Sequence, residues 1–148
     1  MDRIVIRFFE RPDSDEPEEI IRWFCRVFGL SNPEEKDPIE EQILLEFARA
    51  AKKSDGLSSS ELDIDTNLAR STIIYHLNRF IEVGLIVKKG RKYYLRGSEM
   101  QKAIEEIEYD IEREMRRMLD TAKEFDRLMS TAEKKKGRQM AYRSKKGD

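Results

Sequence analysis

Apolar positions recur along this chain with two periods, and the switch from one to the other marks out its elements. Ile4-Val5-Ile6-Arg7-Phe8-Phe9 is β-branched and aromatic, which predicts a strand with Ile4, Ile6 and Phe8 on one face. After an acidic, proline-bearing loop the period becomes helical. From about Glu18 to Phe28, Ile20, Phe24 and Val27 fall on one side with Ile21, Trp23 and Phe28 around them, Pro17 stands near the first turn, and Gly29 stops the run. Ser31 to Asp37 reads as a linker. The next helix runs from Pro38 to Lys53, capped by Asp37, with Ile39, Ile43, Leu44, Phe47 and Ala51 as its buried stripe. Asp55-Gly56 breaks it, and Ser58 with Glu61 has the spacing of a capping box, which opens a short second helix.

A third helix, Arg70 to Val83, follows a turn at Thr66 to Ala69 and puts Ile73, Leu77, Phe80 and Ile81 on one face. Gly84 stands where a helix C-terminus takes a residue at positive φ. The apolar run Leu85 to Val87, the basic turn Lys88-Lys89-Gly90-Arg91-Lys92 and the run Tyr93-Tyr94-Leu95 then form a hairpin, with one tyrosine in the core and the other beside the basic surface. Beyond Gly97-Ser98, steps of three and four residues link Met100, Ile104, Ile107, Ile111, Met115, Met118, Ala122, Phe125 and Met129. That is a heptad seam with one stutter on a helix of roughly 30 residues, about 45 Å long. Its flanks are charged, so its partner is expected to be the same helix of a second copy, in a two-fold homodimer. From Glu133 the sequence is basic, polar and glycine-broken, which predicts a disordered or frayed tail. The expected segments are therefore an N-terminal extension over residues 1–37, a compact domain over 38–97, the seam helix over 98–131 and the tail over 132–148.

Charge sharpens this picture. The net charge is only −1 over 148 residues, but it is unevenly spread. Residues 67–96 carry seven positive side chains, Arg70, Arg79, Lys88, Lys89, Arg91, Lys92 and Arg96, against the single negative Glu82, a net of +6. Residues 1–66 carry nine positive and seventeen negative, a net of −8. A localised basic patch is what phosphate contact needs, because neutralising backbone phosphates releases condensed counterions. A charged fraction of 40%, well above the usual quarter, points to exposed charged helices. One cysteine, Cys25, excludes an intramolecular disulfide and a cysteine-cluster metal site. No apolar run approaches the roughly 18 residues of a membrane span and no cleavable signal opens the chain, so a cytoplasmic protein is expected.

The residues from Glu61 to Arg96 resemble the DNA-binding domain of ArsR- and MarR-like regulators, archaeal ones in particular. In that family a Ser-Thr-hydrophobic-x-x-His-Leu run opens the recognition helix; here it is Ser71, Thr72, Ile73, His76 and Leu77. Glu61-Leu62 meets the family's spacing, and Asn67 stands where glycine is usual at the inter-helix turn. Asp63 and Thr66 depart from the pattern, standing where small or apolar side chains are buried, so the second helix is short or displaced. The resemblance implies a mainly α fold with a small β wing, a winged helix-turn-helix, extended here by the long C-terminal dimerisation helix.

On this reading Arg70, Ser71, Thr72, Tyr75 and Asn78 reach base edges or phosphates from the major groove, and Arg79 reaches a phosphate. Lys88, Lys89, Arg91 and Lys92 ride along the backbone or enter the minor groove, or else they only keep a hairpin edge from aggregating. Ile74 meets a thymine methyl group or extends the core. His76 lacks a nearby nucleophile and orienting carboxylate, so it packs or sits near a phosphate rather than acting as a base. Cys25 is an inert buried hydrophobe, with an intersubunit redox switch as the alternative. The methionines of the seam pack adaptably enough to hold a small apolar effector, though the sequence specifies none. No cofactor, metal site or catalytic residue is expected, so the chain is read as a homodimeric, sequence-specific regulator that binds double-stranded DNA and not as an enzyme or membrane protein. The competing expectation, from the acidity of residues 1–66, is a protein-interaction module.

Overall fold

The computed structural model describes residues 3–31, 39–53, 55–62 and 68–146. It is mainly helical with one small antiparallel sheet. The elements are α1 (Pro17–Val27), α2 (Ile39–Ala51), α3 (Arg70–Glu82), β1 (Ile86–Lys89), β2 (Lys92–Leu95), a 3-10 turn (Arg96–Ser98) and α4 (Met100–Lys146). The chain divides into two compact units, Met1–Glu108 and Tyr109–Asp148.

In the first unit the helical periods are realised within a residue or two of the sequence boundaries. Pro17 opens α1, and Gly29 and Gly84, both at positive φ, follow the ends of α1 and α3. The core gathers Cys25 from α1, Ile43, Leu44 and Phe47 from α2, Leu77 and Phe80 from α3, and Leu85 and Ile86 from the approach to the hairpin. Each is almost completely removed from water, worth roughly 1.5–3 kcal/mol for each large apolar side chain. In α1 and at its C-cap the most buried positions are Ile21, Cys25 and Phe28, spaced by four and three, so the buried side is rotated from the expected Ile20, Phe24 and Val27, which are half-buried. Helices α1 and α2 pack together, tied at the rim by Arg22 Nε on Glu41 Oε2 at 3.2 Å.

The hairpin pairs Ile86 with Leu95, Val87 with Tyr94, Lys88 with Tyr93 and Lys89 with Lys92. Its two-residue loop places Gly90 first, at φ +64°, the position and sign that a type II′ turn requires and a residue with a Cβ rarely adopts. Leu57 adds a single antiparallel rung outside β2, exchanging backbone hydrogen bonds of 2.9 and 2.8 Å with Tyr93. Next to it, the backbone of Gly56 lies against the Tyr94 ring so closely that a Cβ would come within 2.5 Å of it. The strand–loop junction is thus fixed by a glycine that admits an aromatic ring.

Three expectations need correcting. Residues 3–16 form no strand. This segment is hydrogen-bonded at separate points, Arg3 N to Glu82 O, Arg7 N to Val27 O and Trp23 Nε1 to Phe9 O, rather than through a ladder. A β-branched run without a neighbouring strand edge has nowhere to place its backbone groups in register. Second, Ser58 and Glu61 form a turn, with Ser58 Oγ donating to Glu61 Oε1 at 3.0 Å and Glu61 N to Ser58 O at 3.1 Å. The rest of the expected second helix and the inter-helix turn, residues 63–67 including Asp63, Thr66 and Asn67, lies outside the described residues. Third, α4 is 47 residues long, about 70 Å, and does not stop near 131. Lysine, arginine, glutamine, methionine and alanine are all good helix formers, and they carry the helix through Gly137.

Candidate nucleic-acid interface

Helix α3 begins without a side-chain cap and with no acidic residue in its first turn, so its leading N–H groups and positive dipole end are not neutralised by its own sequence. Around that end Arg70 and Ser71 are exposed and Thr72 is half-buried; further along, Tyr75 is 60% exposed and Asn78 is exposed. Leu77 and Phe80, fully buried on the opposite side, hold the helix on the core, while Ile73 and Ile81 are half-buried. Ile74 is half-buried as well, midway between its two expected uses.

Helix α3 packs against β1, so the hairpin is fixed relative to it. Lys88, Lys89, Arg91 and Lys92 are all exposed and, with Arg70, make no ion pair among the described residues. Lys88 Nζ lies 5.5 Å from the centre of the Tyr93 ring and Lys89 Nζ 5.6 Å from that of Tyr94. These cation–π contacts steady the lysine stems and leave the charges at the surface. Tyr93 is buried and Tyr94 half-buried against Gly56, the division that strand alternation predicts.

Two of the seven positive residues belong elsewhere. Arg79 is engaged inside the protein: one guanidinium nitrogen donates to Glu40 Oε1 at 2.9 Å and another to the Gly29 carbonyl at 3.1 Å. Its expected role at a phosphate is therefore replaced by a link from α3 to α2 and to the end of α1. Arg96 is bound to Glu106 at 2.7 Å. The sequence reading also missed the partner: Glu40 is 4% exposed, with His76 Nδ1 3.0 Å from the same Oε1, close but not aligned as a hydrogen bond. A signal for it exists in the sequence. Glu40 precedes Ile43, Leu44 and Phe47 by three, four and seven residues, which puts a carboxylate on the apolar stripe and demands a buried cation opposite. His76 and Arg79, three apart on α3, supply one side of that match.

Cys25 is completely buried, and desolvation, with Glu41 and Glu40 nearby, pushes its thiol well above the ordinary range. That environment makes the thiol inert, as expected of a structural cysteine.

The expected seam divides in two. Ala103 and Ile107 are buried within the first unit and Met100 and Ile104 are half-buried there, so these positions are already occupied by the chain's own core. In the second unit Met115, Met118, Leu119, Phe125, Leu128 and Met129 are each about half exposed or more. Ala122 is exposed between them. Arginines in this stretch pair with carboxylates three residues earlier: Arg113 with Asp110, Arg117 with Glu114, and Arg127 with Glu124. Among the described residues no group of three or more histidine, cysteine or acidic side chains could hold a metal ion, and no helix is long and apolar enough to cross a membrane. Comparison with protein-family models, with curated proteins and with solved structures finds no match.

Proposed function

We propose that the chain is a sequence-specific, DNA-binding transcription regulator of winged helix-turn-helix architecture that acts as a homodimer. The observation that carries this reading is the coincidence of an uncapped helix, exposed at Arg70, Ser71, Tyr75 and Asn78, with an adjoining hairpin whose four cations make no ion pair among the described residues. Unpaired cations on a rigid scaffold suit a polyanion, since binding it releases counterions without first breaking intramolecular ion pairs. The order of elements supports the architecture: helix, a one-residue rung at Leu57, turn, helix α3, hairpin. In this reading α3 lies in the major groove and the wing follows the backbone or the minor groove. The apolar residues from Met115 to Met129 support pairing with a second copy, because a contiguous exposed stripe of this size on a single helix otherwise stays in water.

The experiment is duplex binding across a salt series by the wild type and by a variant carrying Lys88→Gln, Lys89→Gln, Arg91→Gln and Lys92→Gln. Each phosphate contact adds about −0.9 to the slope of log K against log salt. A slope made shallower by roughly 2 to 4 in the variant supports the reading; an unchanged slope and affinity remove the wing from it. A second reading, docking to another protein, draws on the N-terminal segment, where Phe8 is 97% exposed and Val5, Ile6 and Phe9 are also open. Capture of a partner that is lost with Phe8→Ser and kept in the wing variant favours that alternative.

A further inference from the structure

Seven cations stand from Lys134 onward in the sequence, and their pattern differs from that of the charge earlier in α4. Over residues 109–132 charge is nearly balanced, five positive against six negative. Pairs spaced by three residues neutralise much of it locally. Over residues 133–146 there are seven positive side chains and one negative, Glu133. Lys134, Lys135 and Arg138 have no carboxylate three or four positions away in either direction, so the helix cannot neutralise them as it neutralises Arg117 or Arg127. Lys134, Lys135, Lys136 and Arg138 are exposed, and the backbone is helical through Lys146, which spaces these charges regularly instead of leaving them on a coil. Lys135, Arg138, Gln139 and Tyr142 recur at helical spacing and line one shallow surface.

We propose that this basic end of α4 is a second nucleic-acid contact, one that binds the phosphate backbone without reading base sequence. A net charge of +6 over fourteen residues, about 21 Å of helix, is roughly one positive charge per 3.5 Å, close to the phosphate spacing along one strand of a duplex. Lysine and arginine contact phosphates, glutamine and tyrosine add neutral donors, and carboxylates, which would be repelled, are missing from Lys134 to Lys146. A membrane surface suits it less well. Its apolar residues, Met140, Ala141 and Tyr142, are consecutive, so successive turns of about 100° spread them around the helix, and there is no apolar face to lie in a lipid interface.

The test uses the full chain and a variant with Lys134→Gln, Lys135→Gln, Lys136→Gln and Arg138→Gln, glutamine being a comparable helix former. Binding to a duplex of arbitrary sequence is followed over a salt series, in the wild-type background and in the wing variant. The tail variant is expected to flatten the salt slope by about 2 to 4 in both backgrounds, with helical content unchanged. Because the wing is already neutral in the second background, loss there isolates the tail, and the wing reading can fail while this one stands. An unchanged slope and affinity in both backgrounds overturn the proposal. So does binding to vesicles of 25% phosphatidylserine that depends on the same four cations when the duplex does not.

Discussion

Glu40 occupies a position that the stripe of α2 would give to an apolar side chain, and much of the packing of the first unit turns on how that carboxylate is satisfied. Arg79 bonds it directly and also takes the Gly29 carbonyl, so one guanidinium links α3 to α2 and to the end of α1. Removing one member of a buried pair leaves the other uncompensated, at a cost of about 3–5 kcal/mol when both are fully buried. Arg79 is 30% exposed, which moderates this, so Glu40→Ala is expected to lower stability by about 2–3 kcal/mol in denaturant unfolding. Loss of less than about 0.5 kcal/mol, the range of an ordinary surface substitution, would show that the pair bears little weight. Cys25 supplies a second check. Its raised thiol keeps its proton in the folded state, whereas the unfolded chain loses it near the ordinary value of about 8.5. This contribution to stability is therefore complete below that pH and declines as pH rises above it. Native protein at pH 8 should resist alkylation and the unfolded chain should react at once; rapid labelling of the native protein contradicts the burial. The sequence made Cys25 legible as an inert hydrophobe, whereas Glu40, His76 and Arg79 were read singly because their pairing depends on how α2 and α3 meet.

Helices α1 to α3 and the hairpin were legible because period and glycine signals agree over enough residues to fix them. The N-terminal run was not, since β composition describes a surface that wants a neighbour and cannot supply one. Helix α4 shows both outcomes. Its three- and four-residue steps run from Met100 to Met129, but a period cannot say what covers these positions: Ile107 is 2% exposed within its own unit, while Met118 and Phe125 are 62% and 60% exposed. Substitutions at these two groups should therefore differ. Met118→Glu with Phe125→Glu is expected to give monomers by light scattering with little change in unfolding of the first unit. Ile107→Glu should unfold that unit, because it buries a charge in a packed core. A wild-type chain already monomeric at micromolar concentration rejects the pairing. The tail was misjudged because Gly137 and a dense basic run read as breakers, although glycine costs a helix interior only about 1 kcal/mol and the surrounding residues are good formers.

At the scale of the whole molecule the overall charge of −1 hides what matters, which is its distribution. The first 66 residues are acidic, residues 67–96 basic, and the end of α4 basic again. Such an arrangement favours binding at chosen surfaces over a nonspecific coat, because the acidic portion repels the same polyanion that the basic surfaces attract. Tying Arg79 and Arg96 into internal ion pairs leaves Arg70 and the four hairpin cations, a smaller and better defined set than composition suggests. The most direct test of sequence-specific recognition is selection from a pool of randomised duplexes at near-physiological salt, carried out in parallel with a variant bearing Arg70→Ala, Tyr75→Ala and Asn78→Ala. The expected result is enrichment by the wild type of a near-palindromic site, with half-sites about one helical turn apart, and loss of that preference in the variant while weak, salt-sensitive binding persists. Failure of any motif to emerge, or emergence of the same motif with the variant, contradicts it.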